Sequence, residues 1–304
     1  MLEIRFGGYQ GPASVHTRAA QVFGQELKKR LADRVQFEFQ ENIIEHGHNA
    51  ADLLTMVEDG TLSMCYFSTS YLADRVPEFA LLDLPFTYTD RDSTYAILDG
   101  EVGQHLGQEL LRATGFRILG LWDNGFRHFS NSQHTIAEPA DCAGMTIRTL
   151  FSDLHSQVFN ALGFAPQALD VKDLLEGVRS GRIVAQENPL TNTYNFEMYK
   201  FHRFITLSSH IFGAAALLCN KEAYEGWDDD VRDAVTQSAA AATLTQRQLA
   251  AQEDDLMLEK LLAKGVEVTT LNEQQRAKFV DAVGPIIQDQ KNKFGERLFA
   301  LTVN

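Results

Sequence analysis

Between Asp228 and Lys264 the chain contains neither glycine nor proline and is rich in Ala, Leu, Gln, Asp and Glu. These residue types tolerate or favour a helix interior, so the stretch predicts one long helix. At 1.5 Å per residue it would extend about 55 Å, whereas a small domain is only about 30 Å across. Such a rod has to lie along more than one compact body. Asp228, Asp229 and Asp230 suit its start, because negative groups are favoured at the positive end of a helix. Gly265 suits its end. Two helices broken at an unmarked position are the alternative. A length of 304 residues likewise allows about two domains, each with its own core.

The first third of the chain alternates strand and helix signals. Leu2 to Phe6 reads as a strand, and Gly7, Gly8, Gly11 and Pro12 form a loop. A helix follows from Ser14, with Val15, Ala19, Val22, Phe23, Leu27 and Leu31 on one face. Val35, Phe37 and Phe39 alternate with Gln36 and Glu38, the period of a half-buried strand. A helix over 50–59, a stop at Gly60 and a strand over 62–67 come next. This order points to an α/β fold with mainly parallel strand pairing. The segment DLLTMVEDGTLSM from Asp52 is echoed without a gap by DLLEGVRSGRIVA from Asp173. In both, Gly60 or Gly181 falls where a left-handed residue ends a helix before an apolar strand. Helix–glycine–strand is common enough for chance convergence; the bolder reading is two similar lobes with a cleft between them.

Charge narrows the partners. Lys and Arg number 27 against 41 Asp and Glu, a formal net charge of -14. So acidic a surface repels nucleic acid and anionic lipid. No run approaches the roughly 20 apolar residues of a membrane span, so no membrane insertion is expected. An anionic ligand would have to be captured by a few placed cations. Cys65, Cys142 and Cys219 lie far apart, and Cys65 and Cys219 sit in apolar runs, which suits small buried hydrophobes better than a disulfide. No basic and apolar leader precedes MLEIRFGG, which suits either a cytoplasmic protein or a mature chain whose signal peptide is absent.

Most catalytic signatures are missing: no GxxxxGK[ST], no GxSxG and no HExxH. The Gly7–Gly8–Gly11 loop is placed like a phosphate cradle but lacks the GxGxxG spacing. Glu45, His46 and His48 lack a fourth metal ligand nearby, so neither metal nor cofactor is expected. Two arginines stand out instead. Arg148 lies in the strand-like GMTIRTL, and Arg127 among aromatics in LWDNGFRHFSN. A guanidinium in apolar surroundings seeks a planar anion, which a carboxylate supplies through two parallel hydrogen bonds. Either could instead snorkel over its neighbours as a surface residue. Asn188 in AQENPL ends another strand, and ligands of α/β sheets gather at such ends. The three together define one plausible anion pocket.

These stretches resemble a known family, the extracytoplasmic solute-binding proteins of TRAP transporters, often called C4-dicarboxylate-binding. LEIRFGG, VPEFALLDLPF from Val76, NGFRHFSN from Asn124, PADCAGMTIR from Pro139, QENPL from Gln186 and LSSHIF from Leu207 carry the resemblance, followed by the long helix. It implies an α/β periplasmic-binding-protein-like clamshell with mixed sheets and a long helix spanning both lobes. Lobe I would hold residues 1–123 plus 211–252, and lobe II residues 124–210 plus 253–304. It further implies a periplasmic protein, not an enzyme, that hands its ligand to a membrane permease driven by a sodium gradient. Arg148 matches the carboxylate clamp, Arg127 a second arginine and Asn188 the amide of the QENP motif.

The first lobe departs from the sialic-acid-binding members. Tyr9, His48 and Ser68 stand where those carry Asn and acidic groups, and Leu169 where they place a stacking Phe. A cleft of Tyr9, His48, Phe67, Trp122 and Phe126 would suit an aromatic acid, a hydroxy or sugar acid, or a dicarboxylate meeting His48. Tyr9 and Trp122 are equally compatible with a core. The competing function is an α/β enzyme acting on an anionic metabolite with His48 or His210 as base, and a third is presentation of the ligand to a sensor.

Overall fold

The computed structural model describes residues 2–303. Nine strands form one hydrogen-bonded sheet: β1 (Leu2–Gly7), β2 (Val35–Gln40), β3 (Met64–Ser68), β4 (Phe116–Asn131), β5 (Thr146–Thr149), β6 (Ala165–Ala168), β7 (Ala185–Asn188), β8 (Phe204–Asn220) and β9 (Glu267–Thr270). Their order is β2-β1-β3-β8-β4-β7-β5-β6, with β9 added to β8. β1, β2 and β3 pair in parallel at one end, and β7, β5 and β6 in parallel at the other. The two parallel sets are joined by the antiparallel pair β4–β8, which is 16 and 17 residues long. At about 3.3 Å per residue these strands exceed 50 Å, so they run through both halves. The mixed α/β architecture expected from the sequence is therefore present. The strands of the two halves form one continuous sheet, because β4 and β8 keep pairing across the waist.

The long helix is unbroken from Asp229 to Ala263, with Asp228 as its cap and Gly265 at φ +82° beyond its end. Val231, Val235, Ala239, Ala242, Gln246, Ala250, Met257 and Leu261 are buried at helical spacing. Ala234 to Ala242 join the core of Phe6, Phe23 and Trp122, whereas Met257 and Leu261 join Leu190 and Ile205 of the other half. One buried stripe thus serves both halves. At its middle, Gln246 exchanges two hydrogen bonds with the Asp123 backbone, at 2.7 and 2.6 Å. Arg247 donates to the Leu121 carbonyl and to both Asp99 oxygens.

The sequence echo is also structural. The helices Asp52–Glu58 and Val171–Arg179 end at Gly60 and Gly181, with φ of +78° and +73°. Leu62 N donates to Met56 O at 2.8 Å, and Ile183 N to Gly177 O at 2.9 Å. Asp59 N donates to Thr55 O and Ser180 N to Glu176 O, both at 2.9 Å. The same residue offset relates each pair of bonds. The loop glycines after β1 serve close packing: a Cβ on Gly8 would sit 2.5 Å from the Glu41 carbonyl oxygen. The three cysteines are free and buried.

Candidate functional site

Arg148 is the third residue of β5 and is almost fully buried. Its Nε donates to the Leu169 carbonyl at 2.9 Å, which orients the guanidinium. Among the described residues no carboxylate lies within 4.0 Å of it. Its two terminal amino groups make no hydrogen bond among the described residues.

Arg127, on β4, is placed differently. Nε and Nη2 grip the Glu187 carboxylate side-on, Nη2 at 2.8 Å from Oε1, and Nη2 also donates to the Glu187 carbonyl at 2.7 Å. Glu187 and Arg127 are both buried, on the paired strands β7 and β4. Burial opposes ionisation of Glu187, but the charge and hydrogen bonds of Arg127, with His210 Nε2 3.4 Å away, hold its pKa well below the usual carboxylate range. Arg127 is likewise kept charged against the cost of burial by Glu187. The pair is internally neutral. Of the Arg127 nitrogens, only Nη1 is without a hydrogen-bond partner among the described residues.

Asn188 sits at the end of β7, where its Oδ1 accepts from Arg127 Nη2 at 3.4 Å and its Nδ2 donates to Gln186 Oε1 at 2.5 Å. Gln186 donates in turn to Ser130 Oγ, which meets His202 Nδ1 at 3.0 Å. This chain fixes the Asn188 carboxamide and leaves one of its two N–H donors.

The three residues line one inner cavity of about 30 Å³ with Tyr9, Phe67, Ser68 and Tyr71 on the opposite wall. Asn124, Leu150, Asn192 and Phe196 complete the near side, with Ala50 and Val171 between. Burial and the neighbouring Tyr66 and Tyr71 push the Tyr9 hydroxyl pKa up against the pull of Arg127 and Arg148, so it remains a neutral phenol. Burial acts likewise on Tyr71. An outer cleft of about 400 Å³ shares Tyr9, Val171, Asn192 and Phe196 with the cavity, and Lys172 and Asn42 flank it. Asp170 bridges the two halves beside it. Its carboxylate accepts from Ala50 N at 3.3 Å and Ala51 N at 3.4 Å, and caps its own helix through Lys172 N at 2.9 Å. Lys172 Nζ reaches across to the Gly47 carbonyl at 3.2 Å.

Four expected residues lie outside this cavity. Trp122 is fully buried on the other face of the sheet, stacked near Tyr66 at 5.7 Å and bonded through Nε1 to Thr243 of the long helix. Phe126 packs edge-on to Phe212 at 5.2 Å, beneath the Arg91 guanidinium. The His48 side chain is 45% exposed and faces Asp52 at 3.7 Å, so it does not reach into the cavity. Leu169 contributes its carbonyl, while its side chain packs near Gly177. His210 is no solvent-reaching base either: it is fully buried, stacked on Phe129 at 4.3 Å, with Nε2 3.4 Å from Glu187.

Residues that the sequence reading missed include Glu187, Asn124 and Asn192. Glu187 and Asn124 lie inside quoted stretches, beside Asn188 and Gly125. Asn192 follows Asn188 by four residues, on the first turns of the short helix Leu190–Asn195. Because Asn188 ends a strand and Pro189 turns the chain into that helix, helical spacing does not relate the two amides, and no local pattern signalled Asn192.

A cleft between two α/β halves, joined by crossing strands and holding a buried guanidinium with no internal counter-charge, defines a two-lobed solute-binding protein. The family model described as bacterial extracellular solute-binding protein, family 7, matches residues 6–293. The chain belongs to that family, whose members are the extracytoplasmic solute-binding components of TRAP transporters and not enzymes. It is similar to the 2,3-diketo-L-gulonate-binding periplasmic protein YiaO of Escherichia coli, 28% identical over 94% of this chain and 86% of that one. Among solved structures it resembles the sugar acid binding protein DctPAm of Advenella mimigardefordensis in complex with galactonate, with 27% identity, a TM-score of 0.93 and coverage of 99% and 97%. It equally resembles a TRAP periplasmic solute-binding protein of Sulfurospirillum deleyianum with bound succinate, at 28% identity, a TM-score of 0.93 and 99% of each chain. No described helix is long and apolar enough to cross a membrane.

Proposed function

We infer that this chain captures a small organic carboxylate for TRAP transport, clamping it between Arg148 and the wall of Tyr9, Phe67, Ser68 and Tyr71. The observation that carries this reading is the buried Arg148 guanidinium, which faces the cavity without a carboxylate of its own. Solved relatives with galactonate and succinate support the ligand class. Arg127 adds one N–H at Nη1, and Asn188 orients the bound group. The protein works in the periplasm and delivers its ligand to membrane permease subunits. Residues 1–123 with 211–252, and 124–210 with 253–304, move as two lobes that close on the ligand.

The test is a thermal-shift screen of refolded protein against carboxylic acids and their matched amides, with small-angle scattering on each hit. A ligand at a hundredfold excess over Kd stabilises the fold by about 2.7 kcal/mol. An acid is expected to raise the Tm and compact the particle, and its amide to do neither. Equal shifts from acid and amide would remove the carboxylate clamp, and a shift without compaction would remove closure.

Asp170 gives closure its own test. In our reading its bonds to Ala50 and Ala51 exist only when the lobes meet. Asp170→Ser retains a side-chain oxygen for its own helix cap but is too short to span the gap. It is expected to leave the ligand-free Tm nearly unchanged and to weaken ligand binding by roughly 3- to 10-fold, because only differential contacts shift an open–closed balance. Unchanged affinity by calorimetry would show that the bridge plays no part.

A further inference from the structure

We propose that the solute is a hydroxylated monocarboxylate, with its carboxylate on Arg148 and its hydroxyls on the Asn124 and Asn192 carboxamides, and that a second carboxylate is rejected. This deepens the carboxylate reading above and rests on it. The first ground is the charge inventory. Arg127 and Arg148 are the cations of the inner cavity, and Arg127 is already matched by Glu187. Lys172 keeps its charge but lies in the outer cleft, where it donates to the Gly47 carbonyl, and it does not line the inner cavity. Within the inner cavity one guanidinium is thus uncommitted, and it can serve one carboxylate. A second carboxylate against the neutral wall of Tyr9, Phe67, Ser68 and Tyr71 would be a buried charge without a partner, the costliest group to enclose.

The second ground is an unmet hydrogen-bond demand. Asn124 lines the cavity, is 5% exposed, and its Oδ1 has no hydrogen-bond partner among the described residues. Asn124 sits in a β-bulge where the β4–β8 register shifts between Asp123 and Gly125, a device that re-aims a side chain. Gly213 faces it from β8, and a Cβ there would come within 3.3 Å of the Asn124 Cβ and Nδ2, so the glycine leaves room for this side chain. The buried Asn192 side chain also makes no hydrogen bond among the described residues, and it lines both the cavity and the outer cleft. Two carboxamides therefore line the same cavity as Arg148. Carboxamides ask for groups that both donate and accept; a hydroxyl does both, an ionised carboxylate only accepts, and an alkyl chain does neither.

Three four-carbon acids separate these cases: erythronate, succinate and butyrate, titrated calorimetrically into the full chain after unfolding, dialysis and refolding. Erythronate is expected to bind tighter than either of the others by about tenfold or more. Asn124→Ala should weaken erythronate about tenfold more than it weakens butyrate, and Asn192→Ala, kept in reserve should the first variant misfold, should do the same. Succinate binding as tightly as erythronate, or an erythronate-to-butyrate ratio unmoved by both substitutions, would overturn the inference. Succinate bound tightly in a manner lost in Arg148→Ala would do so while leaving the carboxylate reading standing. Failure of all three acids to bind would overturn both.

Discussion

Arg148→Ala is expected to lose ligand affinity by about 30-fold or more, because removing one partner of a desolvated charge pair costs roughly 2–5 kcal/mol. Arg148→Lys should lose most of the same affinity, since an ammonium cannot reproduce the planar fork that grips both carboxylate oxygens. The stability of the ligand-free protein should move the other way. Arg148 is buried with no carboxylate within reach, so its charge is a cost until a ligand arrives. The alanine variant should therefore keep its Tm or gain slightly while binding fails, the pattern of a residue kept for function. Calorimetric titration and thermal melts of the same preparations check both halves. Undiminished affinity in both variants would remove Arg148 from the site.

Glu187→Gln is expected to show the opposite pattern, a large loss of stability. It leaves the Arg127 guanidinium buried and uncompensated, and breaking such a pair typically costs about 3–5 kcal/mol. For a chain of this size that corresponds to a fall in Tm of roughly 5–8 °C. The double variant Arg127→Met, Glu187→Met removes both charges and should recover much of the loss, since a buried pair is worth little against apolar residues of similar volume. The pair also gives acid sensitivity a direction. Glu187 has a folded pKa below its ordinary value of 4.5, so its contribution is complete above about pH 4.5 and is lost progressively on further acidification. The glutamine variant should lack that part of the acid limb. A variant melting within a degree of the parent would mean the pair carries no stability.

Arg148 and Arg127 were both legible as candidates, since a cation in an apolar strand is conspicuous in one dimension. Their division of labour was not. Glu187 stands next to Asn188 in the sequence, but only the pairing of β4 with β7 brings it against Arg127 and converts that arginine from a free cation into half of a neutral pair. Trp122 and Phe126 show the same limit. Four residues apart in a regular strand, they would share a face. The bulge between Asp123 and Gly125 breaks that parity, sending Trp122 toward the long helix and Phe126 toward Phe212. Gly125 permits the bulge with φ of +97°, where a Cβ would approach Pro189 to 2.8 Å. The same bulge places Asn124 on the cavity, which strand alternation could not have foretold.

By itself the sequence determined what depends on neighbours along the chain: helix caps, glycine stops, the uninterrupted helix from Asp229 to Ala263 and the repeated helix–glycine–strand unit. Each of these follows from backbone conformations and periodicities only a few residues long. Only the tertiary structure decided which polar groups meet. The single uncommitted guanidinium, the neutral pair behind it, the Asp170 bridge and the unpartnered Asn124 oxygen join segments tens to more than a hundred residues apart, and at least one marks a place where a local rule is broken. Selectivity lies in those meetings, because whether a buried charge or amide is already satisfied depends on partners that no local pattern encodes.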